Sequence, residues 1–312
     1  MANNKSLLTS EDLTYTDTRV FSPKTVTLYG RSLFQSISVP SAMRSYQYEV
    51  VTATGSATES VDKSSDDGGV DLDASFDQVP IFKYSTHIDY TDEELEEANA
   101  LTLSGKPNLN ILNLKIQRAA RNIAEFEDKL IFAGHESSNP KFNAYGLLSD
   151  PAKAGFASLA NTNAFDNAKT TGEQKLGFLK AAAKKITDLP GYIDNKPILL
   201  LGKDAYDALD VRYNDYDGTS LLDLAGKWFS SIRPIPELSK GVNGLDADAG
   251  IVLLNDPDMF GIPDAQTLYR VPQVEYTNDV YTIRYKQRTG GLVASLKLVQ
   301  LLSVLSPLIW SI

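Results

Sequence analysis

The 312-residue sequence contains no cysteine. Disulfide staples, thiolate metal sites and cysteine nucleophiles are excluded with it. Histidine is scarce as well. His87 and His135 are the only two, and no G-x-S-x-G elbow accompanies them, so a Ser-His-Asp arrangement has no support. The amino terminus, MANNKSLLTSEDLTYTD, lacks the basic end and apolar run of a signal peptide. The most apolar segment is the last, GGLVASLKLVQLLSVLSPLIWSI. Lys297 and Gln300 interrupt it and Pro307 breaks it, which argues against a membrane span and for a pair of buried strands. Positive charge is short: 30 Lys and Arg stand against 40 Asp and Glu, a formal net charge of -10. Such a chain lacks the basic face of a tight, sequence-specific nucleic-acid binder, although it can enclose nucleic acid without gripping it.

What is present is globular: 42% hydrophobic and 22% charged residues, with 12 Phe and 15 Tyr. The length suits one large domain or two ordinary ones. The acids are unevenly placed. The stretch TGSATESVDKSSDDGGVDLDASFD, Thr54 to Asp77, holds Glu59, Asp62, Asp66, Asp67, Asp71, Asp73 and Asp77 against the single base Lys63. Seven acids less one base give about -6, more than half of the chain's net charge. Compact domains rarely carry structureless loops longer than about 12–15 residues unless the loop binds something or is disordered. YQYEVVTA before it and VPIFKYSTHIDY after it are rich in β-branched and aromatic residues. The expectation is a long hairpin with an acidic loop from Thr54 to Asp77 at its tip, turning at Gly68-Gly69.

Residues 1 to about 28 read as a polar arm, and VTLYGRSLFQSISVP as a strand or two. Thr91 with Glu94 three residues on is a capping box opening a helix that ends at Gly105. The longest helix is expected from about Asn108 to Phe132. Leu112, Ile116, Ala119, Ile123, Phe126 and Leu130 form its apolar stripe and Gly134 its stop. At about 1.5 Å per residue it spans roughly 35 Å, a structural spine. From Gly172 helices (GEQKLGFLKAAAKKITDL, KDAYDALDVRY, SLLDLAGKW) alternate with short strands (KPILLLG, GIVLLND), an α/β subdomain. Strand patterning returns after Pro263 in TLYRVPQVEY, VYTIRYKQRTGG and LVASLKLVQLLSVL.

No constellation carries chemistry. YNDYDG puts Asp215, Asp217 and Gly218 at EF-hand-like positions, but Tyr213 and Leu224 occupy places that need carboxylates. Glu125 and Asp128 share a helical face, and Arg121 and Lys129 explain Glu125 as ordinary i, i+4 pairing. Gly202-Lys203 fails as a phosphate loop because Pro197 and Asp204 stand where Gly and Ser or Thr are required. No catalytic residue, metal site or cofactor is expected. A long hairpin, a spine helix, a polar arm and no site suggest a protein whose function is contact with its own copies.

AARNIAEFEDKLIFAGHESSNPKFNAYGLL resembles the spine-helix signature of encapsulin-type shell proteins and tailed-bacteriophage major capsid proteins. It carries Glu127, Asp128, Ile131, Phe132, Gly134, Gly146 and Leu147 in the family's order. LYGRSLFQSISVP is similar to the family's Gly-Arg segment through Gly30 and Arg31, and the resemblance covers about residues 28 to 312. It implies an α+β chain with the Hong Kong 97 phage capsid fold. The implied parts are an amino-terminal arm with the first strands (1–44), an extended hairpin loop (45–90), a peripheral domain with the spine helix and closing strands (91–144 and 266–312), and an axial domain (145–265). It further implies self-assembly into pentamers and hexamers of an icosahedral virion shell, formed in the bacterial host cytoplasm. That shell would enclose double-stranded DNA non-specifically, with scaffold, portal or decoration proteins as further partners and no membrane. Met1 leads to the expectation that no scaffold domain has been cut from that end. Lys63 stands where some phages of this fold carry a crosslinking lysine, but nothing supplies the accompanying acid's pocket.

The acidic loop (Glu59, Asp62, Lys63, Asp66, Asp67, Asp71, Asp73) needs a complement on a neighbour. Arg284, Lys286 and Arg288 alternate along one strand face, and Lys115, Arg118 and Arg121 lie on the spine helix; either set is a candidate receiver. An encapsulin nanocompartment around a cargo enzyme is the alternative, disfavoured because residues 1–28 show no amphipathic period. A soluble enzyme with a flexible lid is the remote one.

Overall fold

The computed structural model describes residues 24–55, 69–103, 111–149, 157–160, 165, 169–214, 218–254, 256, 260–294 and 299–303. In chain order the elements are α1 (Gly30–Leu33), β1 (Ser36–Ser38), β2 (Ser45–Gly55), β3 (Val70–Thr91), α2 (Asp92–Leu103), α3 (Ile111–Ala133), β4 (Ala157–Ala160), α4 (Gly172–Thr187), β5 (Ile198–Leu201), α5 (Lys203–Asp207), α6 (Leu221–Ala225), β6 (Ser231–Pro234), β7 (Ala249–Leu253), β8 (Phe260–Arg270), β9 (Glu275–Thr277), β10 (Val280–Gly290), β11 (Val293–Ala294) and β12 (Val299–Ser303). One sheet has the order β1-β8-β10-β3-β2, with β11 beside β8 and β9 beside β10; the other has the order β4-β12-β7-β5-β6. The mixture of helices and strands is the α+β class expected.

The chain forms two compact units. One is drawn from the segments ending at Val26 and Lys286 and from Ser85–Asn122; the other from Thr27–Tyr84, Ile123–Tyr269 and the segment from Gln287 on. In the first, Thr91 Oγ1 accepts the Glu94 amide at 3.3 Å and so caps α2 as its sequence predicts. The reciprocal half of the capping box is missing, because both Glu94 oxygens accept from Lys115 Nζ at 2.7 and 2.8 Å. Ile88, Ala98, Ala119 and Ile283 are buried there, and Tyr90 stacks on Tyr281 at 5.1 Å.

The second unit holds the principal core. Every residue of β7 is buried, and Leu199, Leu200 and Leu201 of β5 are fully enclosed, as a strand covered on both faces requires. Helix α4 lays Leu179, Ala182, Ala183 and Ile186 into this core. Fully burying one such Leu or Ile contributes roughly 1.5–3 kcal/mol. Its start is a complete capping box: Thr171 Oγ1 accepts the Gln174 amide at 3.3 Å while Gln174 Oε1 accepts the Thr171 amide at 3.0 Å.

Several elements differ from expectation. β3 begins at Val70 and pairs antiparallel with β2 over eleven residues, from Ser45 opposite Pro80 to Gly55 opposite Val70. The acidic segment is therefore strand from Val70 to Asp77, and only the stretch between Gly55 and Val70 joins the two strands. Acids on a solvated two-stranded ribbon do not oppose strand formation as they would in a buried sheet. The Gly-Arg segment, read as a strand or two, makes one helical turn, α1, before the single short strand β1. KDAYDALDVRY and SLLDLAGKW shrink to single turns, the second capped by Ser220 and ended at Gly226. β12, grouped by sequence with the closing strands, pairs instead with β4 and β7 in the second sheet. Phe126, placed on the apolar stripe of α3, is half exposed, whereas Glu127 and Asp128 are buried. The polar arm up to residue 23, Gly68 and Gly105 lie outside the described residues.

Candidate assembly surfaces

The two sequence segments that resembled a capsid signature meet in the second unit. Asp128 Oδ1 accepts the Gly30 amide at 2.8 Å, which anchors α1 to the C-terminal half of α3. A Cβ on Gly30 would lie 2.9 Å from that oxygen and 3.0 Å from Ile131 Cδ1, so a larger residue there would push these side-chain ends aside. Arg31 forks between Glu127 and Asp264, and Ser36 also donates to Asp264. Gln287 Nε2 donates to Glu127 Oε2 at 3.2 Å and to Thr289 Oγ1 at 3.0 Å. Tyr84 donates its hydroxyl to the Thr289 carbonyl at 3.1 Å. Burial pushes the Glu127 carboxyl above its ordinary range, the nearby Arg31 charge notwithstanding. Burial works against the Arg31 charge, yet its hydrogen bond to Asp264 and the carboxylates of Glu127 and Asp264 hold its pKa above normal. Asp128 is thus a structural anchor and not one of a surface pair, a role that helical spacing alone does not reveal.

A second joint closes the end of α3. Gly134, at φ +75°, and Gly146 let the helix end and the following loop touch backbone to backbone. His135 and Ala144 exchange amide-to-carbonyl bonds at 2.7 and 2.9 Å, and the Leu147 and Leu148 amides return to the Ile131 and Phe132 carbonyls. The helix's unpaired C-terminal carbonyls are satisfied in this way. His135 packs edge-on against Phe82, and His87 sits exposed 3.6 Å from Asp89.

Of the acidic contact candidates, Asp71 and Asp73 are exposed on β3; Glu59, Asp62, Lys63, Asp66 and Asp67 lie outside the described residues. Four of the cationic candidates have partners within their own units. Arg284 forks onto Glu275 at 2.9 and 3.0 Å, and this bond holds the Glu275 carboxyl below its ordinary range. Lys115 binds Glu94 and the Asp89 carbonyl, Arg121 the Val26 carbonyl, and Arg288 the Ser41 and Met43 carbonyls. Lys286 is half-buried between Arg284 and Arg288 on β10, and Arg118 is exposed on α3.

Among the described residues no three His, Asp or Glu side chains group as metal ligands. Two shallow concavities of about 460 and 400 Å³ in the second unit share Lys227 and contain no histidine.

Residues 55–297 match the family model described as major capsid protein. The chain belongs to the major capsid protein family. Its fold is similar to that of the capsid of Myoviridae phage XM1, with TM-score 0.75 and 15% identity over 96% of this chain and 99% of that one. The capsid chain is likewise similar to one from Mycobacterium phage Cain, with TM-score 0.63 and 14% identity over 98% and 100%. A virus-like particle from Pyrococcus furiosus is more distant, with TM-score 0.52 and 13% identity over 87% and 91%. No curated protein matches the sequence. The fold is the Hong Kong 97 fold of tailed-phage capsids. The chain is a shell-forming major capsid protein with a structural role in a homo-oligomeric virion capsid. The Gly30–Asp128 joint and the Gly134–Gly146 clasp are therefore features of the shell's building block.

Proposed function

We propose that copies of this chain assemble as pentamers and hexamers into the icosahedral head of a tailed bacteriophage, enclosing double-stranded DNA without sequence-specific contacts. The observation that carries this reading is the match in fold to the XM1 capsid along almost the full length of both chains. The net charge of -10 fits it, since a wall that gripped DNA would slow packaging and release. On this reading residues 1–44 are the arm and first strands, 45–90 the extended loop, 91–144 with 266–312 the peripheral domain, and 145–265 the axial domain, into whose sheet β12 (Val299–Ser303) returns. Assembly takes place in the host cytoplasm. The acids near the hairpin tip, Glu59, Asp62, Asp66 and Asp67, guide register against cations of a neighbour such as Arg284 and Lys286, a steering role more than an adhesive one. The test is to treat purified particles with nuclease and then extract them. Protected double-stranded DNA supports a phage head; DNA-free particles filled with a second protein contradict it.

A further inference from the structure

We infer that the apolar face of the β2–β3 ribbon, and not its acidic face, is the surface that seats on the body of a second copy of this chain. This rests on the reading of the hairpin as a segment that reaches a neighbour, and narrows it. Directly opposite residues of an antiparallel pair share a face, and successive residues alternate faces. The register sets Ala53 opposite Leu72, Val51 opposite Ala74 and Gly55 opposite Val70, so these residues and Phe76 line one side, with Glu49 opposite Phe76 as its one charged member. Asp71, Asp73 and Asp77 line the other, where Tyr48 donates to Asp77 at 3.2 Å.

Such alternation is the mark of a half-buried strand, yet among the described residues nothing buries the apolar side. Val51 is 56% exposed, Leu72 and Phe76 each 66%, and Val70 78%. Four side chains this open make a patch on the order of 400 Å², the size at which exposed apolar surface marks an interaction site. A two-stranded ribbon is also marginal alone and gains stability from a surface beneath it. In a closed array each copy gives one ribbon and receives another. Each such contact buries about 400 Å² on either partner, weak by itself, and every copy makes two of them.

Charge selects the occupant. Residues 54–77 carry about -6, leaving about -4 for the other 288 residues. Two ribbons packed face to face would bring the two acidic poles together, whereas the weakly charged body of another copy would not.

The test uses the full chain in three forms. L72S/F76S is expected to lower the yield of sedimenting particles at least about tenfold, as loss of a central apolar anchor does, while the subunit melts at the wild-type temperature. D71S/D73S, on the opposite face, is expected to assemble at wild-type yield. Full yield from L72S/F76S, or loss of assembly in D71S/D73S alone, overturns the inference. Because the chain has no cysteine, L72C can carry a single photo-crosslinker in particles mixed from isotopically light and heavy chains. Crosslinks to residues outside 45–84 of another copy support seating on the body; ribbon-to-ribbon crosslinks contradict it. Wild-type chain that forms no particles removes the hairpin reading itself. Wild-type particles indifferent to L72S/F76S remove only the face assignment.

Discussion

Gly146 has no room for a side chain. A Cβ there would lie 2.5 Å from both the Phe132 carbonyl oxygen and the Gly134 amide nitrogen, backbone atoms that cannot rotate away. Gly146→Ala is expected to destabilise the unassembled subunit by about 2–3 kcal/mol, measured by chemical denaturation. The neighbouring charge network gives a pH signature. An acid whose folded pKa lies above its unfolded value binds more protons when folded, so it withdraws stability as pH rises. For Glu127 that loss begins near the ordinary 4.5 and is complete above the raised folded value. Glu127→Gln is therefore expected to gain on wild type as pH rises through this window. A wild-type-minus-variant difference in melting temperature that does not change with pH would count against the burial of that carboxylate. The sequence showed Gly30, Arg31, Glu127 and Asp128 only as a resemblance. That they interlock depends on β8 and β10 bringing in Asp264 and Gln287, residues more than 130 positions beyond the helix.

At the scale of elements, legibility follows how local the determinants are. α3 and α4 are readable because their apolar stripes repeat within one helix. Thr171 and Gln174 also form an S/T-x-x-E/Q box, a purely local signal. Thr171→Ala is expected to cost about 1 kcal/mol, read as a lower thermal midpoint. α5 and α6 were overestimated because burial of Leu209 and Phe229 by the second sheet's core overrides helical spacing after one turn. The ribbon was misread in the opposite sense. Its acids masked a period-2 alternation whose apolar half is not buried within the chain, so low hydrophobicity looked like a loop. β12 is a harder case, since its partners β4 and β7 are about 140 and 50 residues distant in sequence and no local signal selects them.

For the whole molecule, the account holds that a stable subunit is built for contact with its copies. Fold and assembly should then separate under mutation. Reversing Arg284 and Lys286 together to Glu is expected to impair particle formation while the isolated subunit stays folded by circular dichroism. Arg284 is partly exposed and its guanidinium binds Glu275 on the neighbouring β9, so its loss removes one solvated pair of small value. Particles at wild-type yield from that variant would remove the steering role of those cations. Electron microscopy of the purified chain, expressed alone or with a candidate scaffold protein, tests this self-assembly most directly. The account predicts closed, uniform shells with fivefold and sixfold clusters of one subunit; a population that stays monomeric under all of these conditions would contradict it.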